Sequence, residues 1–147
     1  MFVRELSGLT HLALDEDKGN YDFREIYNPH SGKPDGGYQA WGEDRPNFHW
    51  ESCKLQTWSA TAYLSMILNG VFGMRFTADS LLLAPFLPND IASIELRNLA
   101  YRDSQLDIAI TGRGHTVASF TVDGKEQLEH SLVSSLRGKH RVEIALH

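Results

Sequence analysis

The sequence predicts an α+β chain: an incomplete helix pair joined by a long loop, then an antiparallel β-sheet or sandwich cap. Three observations carry this. Apolar residues recur at helical spacing in residues 1–16 and again in residues 58–72. Between them, Gly19, Pro29, Gly32, Pro34, Gly36, Gly37, Gly42 and Pro46 punctuate residues 17–56. From about residue 80 the apolar period falls to two, as strands require. Two domains are expected, residues 1–75 and residues 76–147.

In the first helix Phe2, Leu6, Leu9 and Ala13 share a face, with Leu12 beside them. Asp15-Glu16-Asp17 and Gly19 end it, and the acidic C-terminal turn opposes the helix dipole. The long loop that follows carries Trp41 and Trp50, aromatic content that argues for order rather than disorder. A long ordered loop is where a binding site is expected. Thr57 then reads as an N-cap. Ala62, Tyr63, Met66, Ile67, Gly70 and Val71 form the stripe of the second helix. Leu64, Leu68 and Phe72 widen it almost all the way round. Such a helix is expected to be buried, and one other helix cannot cover it, so a covering partner is expected from elsewhere. Gly73 supplies the stop.

In the β region Ile94, Leu96, Asn98 and Ala100 alternate with Ser93, Glu95, Arg97 and Leu99. Leu106, Ile108 and Ile110 follow, and then Val117 to Val122 runs into the hairpin signal Asp123-Gly124. Glu129 to Val133 and His140 to Leu146 complete the set. Polar alternate positions imply a sheet with one wet face.

Composition narrows the function. The chain has 147 residues, 41% hydrophobic and 22% charged, as a soluble globular protein does. A net charge of -5 with scattered Lys and Arg argues against a nucleic-acid partner. No apolar run reaches the roughly 18 residues of a membrane span. Met1-Phe2-Val3-Arg4-Glu5 turns polar at once, so no signal peptide and a cytoplasmic location are expected. The single Cys53 excludes an internal disulfide and a cysteine zinc site. The histidines lack metal-ligand spacing, so neither metal nor cofactor is expected.

Two segments carry the chemistry. Glu25-Ile26-Tyr27-Asn28-Pro29-His30-Ser31-Gly32 puts a carboxylate before a turn, and Trp58-Ser59-Ala60 opens the apolar helix. Glu25 reads as a general base or as a surface carboxylate paired with Arg24 or Lys18. Trp41, Trp50 and Trp58, with Tyr38 and Tyr63, read as sugar-stacking platforms or as core.

Together these segments resemble the C-terminal part of α/α-toroid glycoside hydrolases, the clan of trehalases, processing α-glucosidases and glycogen-debranching-like enzymes. Asn69-Gly70-Val71-Phe72-Gly73 and the apolar Leu81 to Pro88 resemble that family's exit into a C-terminal β domain. The resemblance implies that residues 1–75 are the last helix pair of a toroid. It makes Glu25 the base that activates water for an inverting attack. Trp58 would line the sugar subsite, with Tyr27 and Asn28 shaping the loop. The inverting geometry sets two carboxylates roughly 6.5–9.5 Å apart. The family's general acid is an Asp upstream, and Asp35, Glu43, Asp44 and Glu51 do not match its motif. The expected function is therefore a C-terminal fragment or subunit of a glycoside hydrolase on α-glucosidic oligosaccharides, inactive alone. The alternative is a carbohydrate-binding or structural module. The expected partners are carbohydrate, the missing N-terminal part, or a second copy of the chain.

Overall fold

A computed structural model of the protein describes residues 2–14, 22–28, 30, 33–34, 36–39 and 48–147. It divides into two compact units, Met1–Ser65 and Met66–His147. That division falls inside the second helical stretch rather than after residue 75. The reason is local: Phe86 N–H donates to Val71 O at 2.9 Å and Ala84 N–H to Gly73 O at 3.1 Å. These bonds tie the end of the stretch to the β unit.

In the first unit, α1 spans Phe2–Ala13 and buries Leu6 and Ala13. Glu5 sits in its first turn, where an acidic group suits the dipole. The expected terminators, residues 15–19, lie outside the described residues. The loop was expected to hold little regular structure, yet it contains a hairpin. Its strands are β1, Gly37–Gln39, and β2, Phe48–Trp50, with Gly37 opposite Trp50 and Gln39 opposite Phe48. Gly36 is more than punctuation here. Its φ is +73°, and a Cβ on it would stand 1.9 Å from Trp50 O. Only glycine lets the two backbones approach so closely.

The second helical stretch departs from expectation in three ways. First, α2 spans only Thr57–Ser65, and Met66–Val71 continue as a π-helix, closed by Phe72 N–H to Ile67 O at 3.0 Å. Asn69 and Gly70, both poor helix formers, lie in this widened part. Second, Ala60 N–H bonds Gln56 O at 3.2 Å, so Gln56 rather than Thr57 holds the capping position. Third, no residue of α2 is buried, and Trp58 and Leu64 are 59% and 57% exposed. An apolar pattern reports what a helix covers when its neighbours are present. Within this helical stretch burial starts only at Val71, followed by Phe72.

The second unit is a β-sandwich. One sheet has three strands in the order β3 (Met74–Phe76), β4 (Ser80–Leu83), β9 (Ser131–Val133). The other has five. In sequence they are β5 (Ser93–Tyr101), β6 (Ser104–Thr111), β7 (Val117–Val122), β8 (Lys125–Glu126) and β10 (Gly138–Leu146). Their order in space is β5-β6-β10-β7-β8. Leu106, Ile108 and Ile110 of β6, Phe120 of β7 and Val142, Ile144 and Leu146 of β10 form one buried row. Met74, Leu81, Leu83 and Leu132 are the buried residues of the smaller sheet.

The expected sheet was antiparallel, and this one is mixed. β10 runs parallel to β6, pairing Lys139 with Gln105 and Ile144 with Ile110, and antiparallel to β7. Alternation fixes which face of a strand is apolar and carries no information on its direction. The hairpin at Asp123-Gly124 forms as expected, with φ of +52° and +74°. Gly73 takes a φ of +62° at the end of the π-helix.

Candidate functional site

The Glu25 segment has no regular secondary structure, so side chains and loop backbone must hold it. Glu25 N–H donates to Cys53 O at 2.9 Å, and Gln56 N–H donates to Phe23 O at 2.8 Å. Residues 23–25 thus run beside residues 53–56. Ser52, buried at 3% exposure, locks the next residue twice. Its Oγ accepts from Ile26 N–H at 2.9 Å and donates to Ile26 O at 2.8 Å. Tyr27 OH accepts from Arg24 N–H at 2.9 Å, which folds the segment on itself. Asn28 N–H reaches Lys33 O at 2.9 Å, and Asn28 Oδ1 caps His30 N–H at 2.9 Å. That is the Asx geometry expected of Asn at a turn.

Ser59 of α2 donates from Oγ to Arg24 O at 2.6 Å. This bond links the two sequence segments directly. Glu25 follows one partner in the chain and Trp58 precedes the other. The Ser of Trp58-Ser59-Ala60 is therefore the residue that fastens the carboxylate loop to the mouth of the helix. Sequence reasoning singled out Trp58 and missed this role for Ser59. It also missed Ser52, whose only signal is a small hydroxyl two residues after the half-buried Trp50.

Glu25 is half-buried and, among the described residues, makes no ion pair. Arg24, its expected partner as a surface group, is committed elsewhere. Its Nε reaches Asp22 Oδ1 at 3.2 Å and its Nη1 reaches Ser52 O at 3.3 Å. The Glu25 carboxylate hydrogen-bonds the exposed Cys53 thiol and pushes its pKa up, because a neighbouring anion opposes the thiolate. Lys18, Trp41, Asp35, Glu43 and Asp44 lie outside the described residues.

The aromatics divide. Tyr63 is structural: its OH shares a 2.9 Å hydrogen bond with Thr10 Oγ1, and its ring lies 5.2 Å from that of Phe23. Trp50 is half-buried, and its ring packs on Gly37, where a Cβ would lie 3.3 Å from Trp50 Cζ2. Trp58 is exposed and, among the described residues, makes no ring contact. Among the described residues no group of three or more His, Cys, Asp or Glu can hold a metal ion. No described helix is long and apolar enough to cross a membrane.

The β unit is where the comparison with protein families finds a match. Residues 74–130 match the model of the glycosyl hydrolase family 65 C-terminal domain. The match covers under half of the chain and lies wholly in the β unit. By it, this part of the chain is similar to the C-terminal portion of a glycoside hydrolase. Glu25, Tyr27, Asn28, Trp50 and Trp58 all lie before the matched segment. No curated protein matches the chain.

Proposed function

We propose that the chain is the C-terminal part of a glycoside hydrolase acting on α-glucosidic or related oligosaccharides. Residues up to about 75 would form the last helix pair of an α/α toroid, and the β-sandwich its cap. One observation carries this most: the Ser59–Arg24 bond sets the Glu25 loop at the mouth of the helix that Trp58 opens.

In this reading Glu25 is the base that takes a proton from water as the water attacks the anomeric carbon. Ser52 and Ser59 hold its backbone. Tyr27 and Asn28 shape the turn, Trp58 gives the sugar an apolar platform, and Trp50, with Trp41 outside the described residues, completes the set of sugar-binding aromatics. A general acid on the opposite side of the glycosidic bond protonates the leaving oxygen, with inversion. That acid comes from the rest of the toroid, whose helices also cover the apolar surface of α2. By itself the chain then binds sugar without cleaving it, since one carboxylate cannot serve as both acid and base in a single displacement. A second copy of the chain is the competing cover for α2. The setting is cytosolic, which suits the lone reduced Cys53.

The experiment is turnover by the complete enzyme carrying Glu25→Gln. Activity should fall by about two to four orders of magnitude with folding unchanged, the range that general-base catalysis contributes. Retained activity would reject the assignment. Calorimetry of the chain alone with maltose and trehalose tests the rest: binding with no product fits, and product formation overturns the claim of dependence on the missing acid.

A further inference from the structure

The outer face of the five-stranded sheet carries a polar cleft of about 310 Å3 lined by Asn98, Gln105, Asp107, Asp123, Lys139, His140 and Arg141. Topology assembles it. Parallel pairing of β10 with β6 sets Lys139 beside Gln105 and Arg141 beside Asp107, with the buried row on the opposite face. The register of β5 shifts between Leu96 and Leu99, and Asn98 takes a φ of +58° in that bulge. No tight turn requires this conformation, unlike that of Asp123. Bulges re-aim side chains, and left-handed non-glycine residues gather at binding sites.

The groups in the cleft fall into two sets. One set is committed. His140 Nδ1 meets Asp123 Oδ2 at 2.7 Å, and Arg141 reaches Glu143 at 3.1 Å and Glu95 at 3.0 Å. The other set is held by a single bond or none. Asp107 Oδ1 accepts from Asn98 N–H at 2.8 Å, and Gln105 Nε2 donates to Asn98 Oδ1 at 2.9 Å. That fixes the three side chains and leaves Asn98 Nδ2, Gln105 Oε1 and Asp107 Oδ2 open. Lys139 Nζ has no partner among the described residues.

We propose that this cleft binds a neutral polyhydroxylated ligand, a sugar unit, through Asn98, Gln105, Asp107 and Lys139. The chemistry selects it. The open atoms are both donors and acceptors, which matches hydroxyls that act as both. Lys139 and Asp107 oppose each other in charge. An anion would meet the Asp107 and Asp123 carboxylates, and a cation would meet Lys139 and Arg141. No aromatic ring lines the cleft, so recognition rests on hydrogen bonds rather than stacking. The site lies wholly in the β unit and stands whether or not Glu25 is a catalytic base.

Residue-resolved amide NMR of the whole chain, titrated with maltotriose and separately with inorganic phosphate, tests this. Maltotriose should shift the amides of Asn98, Gln105, Asp107 and Lys139. Lys139→Ala, which removes an exposed side chain, and Gln105→Ala should each weaken that binding about tenfold or abolish it, given one lost hydrogen bond apiece. Shifts at Glu25 and Trp58 amides report the loop instead and leave the cleft to be judged on its own residues. The proposal is overturned if the cleft amides stay still at millimolar maltotriose. It is equally overturned if both variants bind unchanged, or if phosphate alone moves these amides.

Discussion

Ser59 and Arg24 are joined by a 2.6 Å hydrogen bond from the hydroxyl of the first helical turn to a loop carbonyl. The Glu25 segment belongs to no strand, so this bond and the double bond of Ser52 to Ile26 join two backbone bonds to residues 53–56 in holding it. Their deletions should differ. Ser59→Ala removes one bond at a half-buried site and should cost about 0.5–1.5 kcal/mol. Ser52→Ala leaves the Ile26 N–H and C=O without their partner and should cost more, about 1–3 kcal/mol. Hydrogen exchange at the Ile26 amide should speed up in Ser52→Ala while the β10 amides stay protected. Equal losses in the two variants would contradict this ranking.

The His140–Asp123 pair gives the β unit a pH dependence of known sign. The Asp123 carboxylate first, then the Arg137 carbonyl, raises the His140 pKa above its ordinary 6.5. Its contribution is complete below 6.5 and is lost as pH rises through the folded value. Asp123 is held below its ordinary 3.8, by His140 first and then by the Arg141 N–H. Its contribution is present above 3.8 and is lost as pH falls through its folded value. The pair therefore stabilises most between about 3.8 and 6.5. Urea midpoints should be higher at about pH 5.5 than at about pH 8.5. Asp123→Asn keeps a residue that tolerates the turn's positive φ and should shrink that difference. An undiminished difference in the variant would assign the effect to other histidines.

Two glycines with similar backbone angles should respond differently to alanine. At Gly124, φ is +74° and an added Cβ meets nothing within 4 Å, so only the left-handed conformation costs, about 1–2 kcal/mol. At Gly73, φ is +62° and the Cβ would stand 1.9 Å from Ala84 O. Backbone must move there, and Gly73→Ala should lose about 3 kcal/mol or more. Chemical denaturation of both variants decides it, and matched midpoints would refute the close approach.

Much of this fold was legible because its signals are local. Leu106, Ile108 and Ile110 alternate, and β6 is a strand. Asp123-Gly124 reads as a hairpin because two positive φ angles are cheap there. What was not legible depends on partners distant in the chain. Nothing in His140 to Leu146 says that β10 inserts between β6 and β7, parallel to one of them. The all-round apolar pattern of residues 58–72 predicts burial, which among the described residues is reached only at Val71 and Phe72. At the site, residue chemistry pointed to Glu25 and Trp58, but the serines that bring their segments together are silent in composition. Their role needs the two contacts, over 26 and 35 residues of separation, to be seen.

Trp58 and Ile144 provide the test of whether the exposed aromatic is a platform or a piece of core. Ile144 is 2% exposed in the central strand β10, and Ile144→Ala should cost about 2–5 kcal/mol, the range for deleting a packed aliphatic side chain. Trp58 is 59% exposed on a helix with no buried residue. Trp58→Ala should leave the stability of the chain within about 0.5 kcal/mol, as surface changes do. It should at the same time remove the tryptophan fluorescence change that maltose binding at the loop produces. The two readouts separate the possibilities. A stability loss near that of Ile144→Ala would make Trp58 a core residue and reject its role as a sugar platform. Unchanged stability with an unchanged maltose response would place the sugar elsewhere.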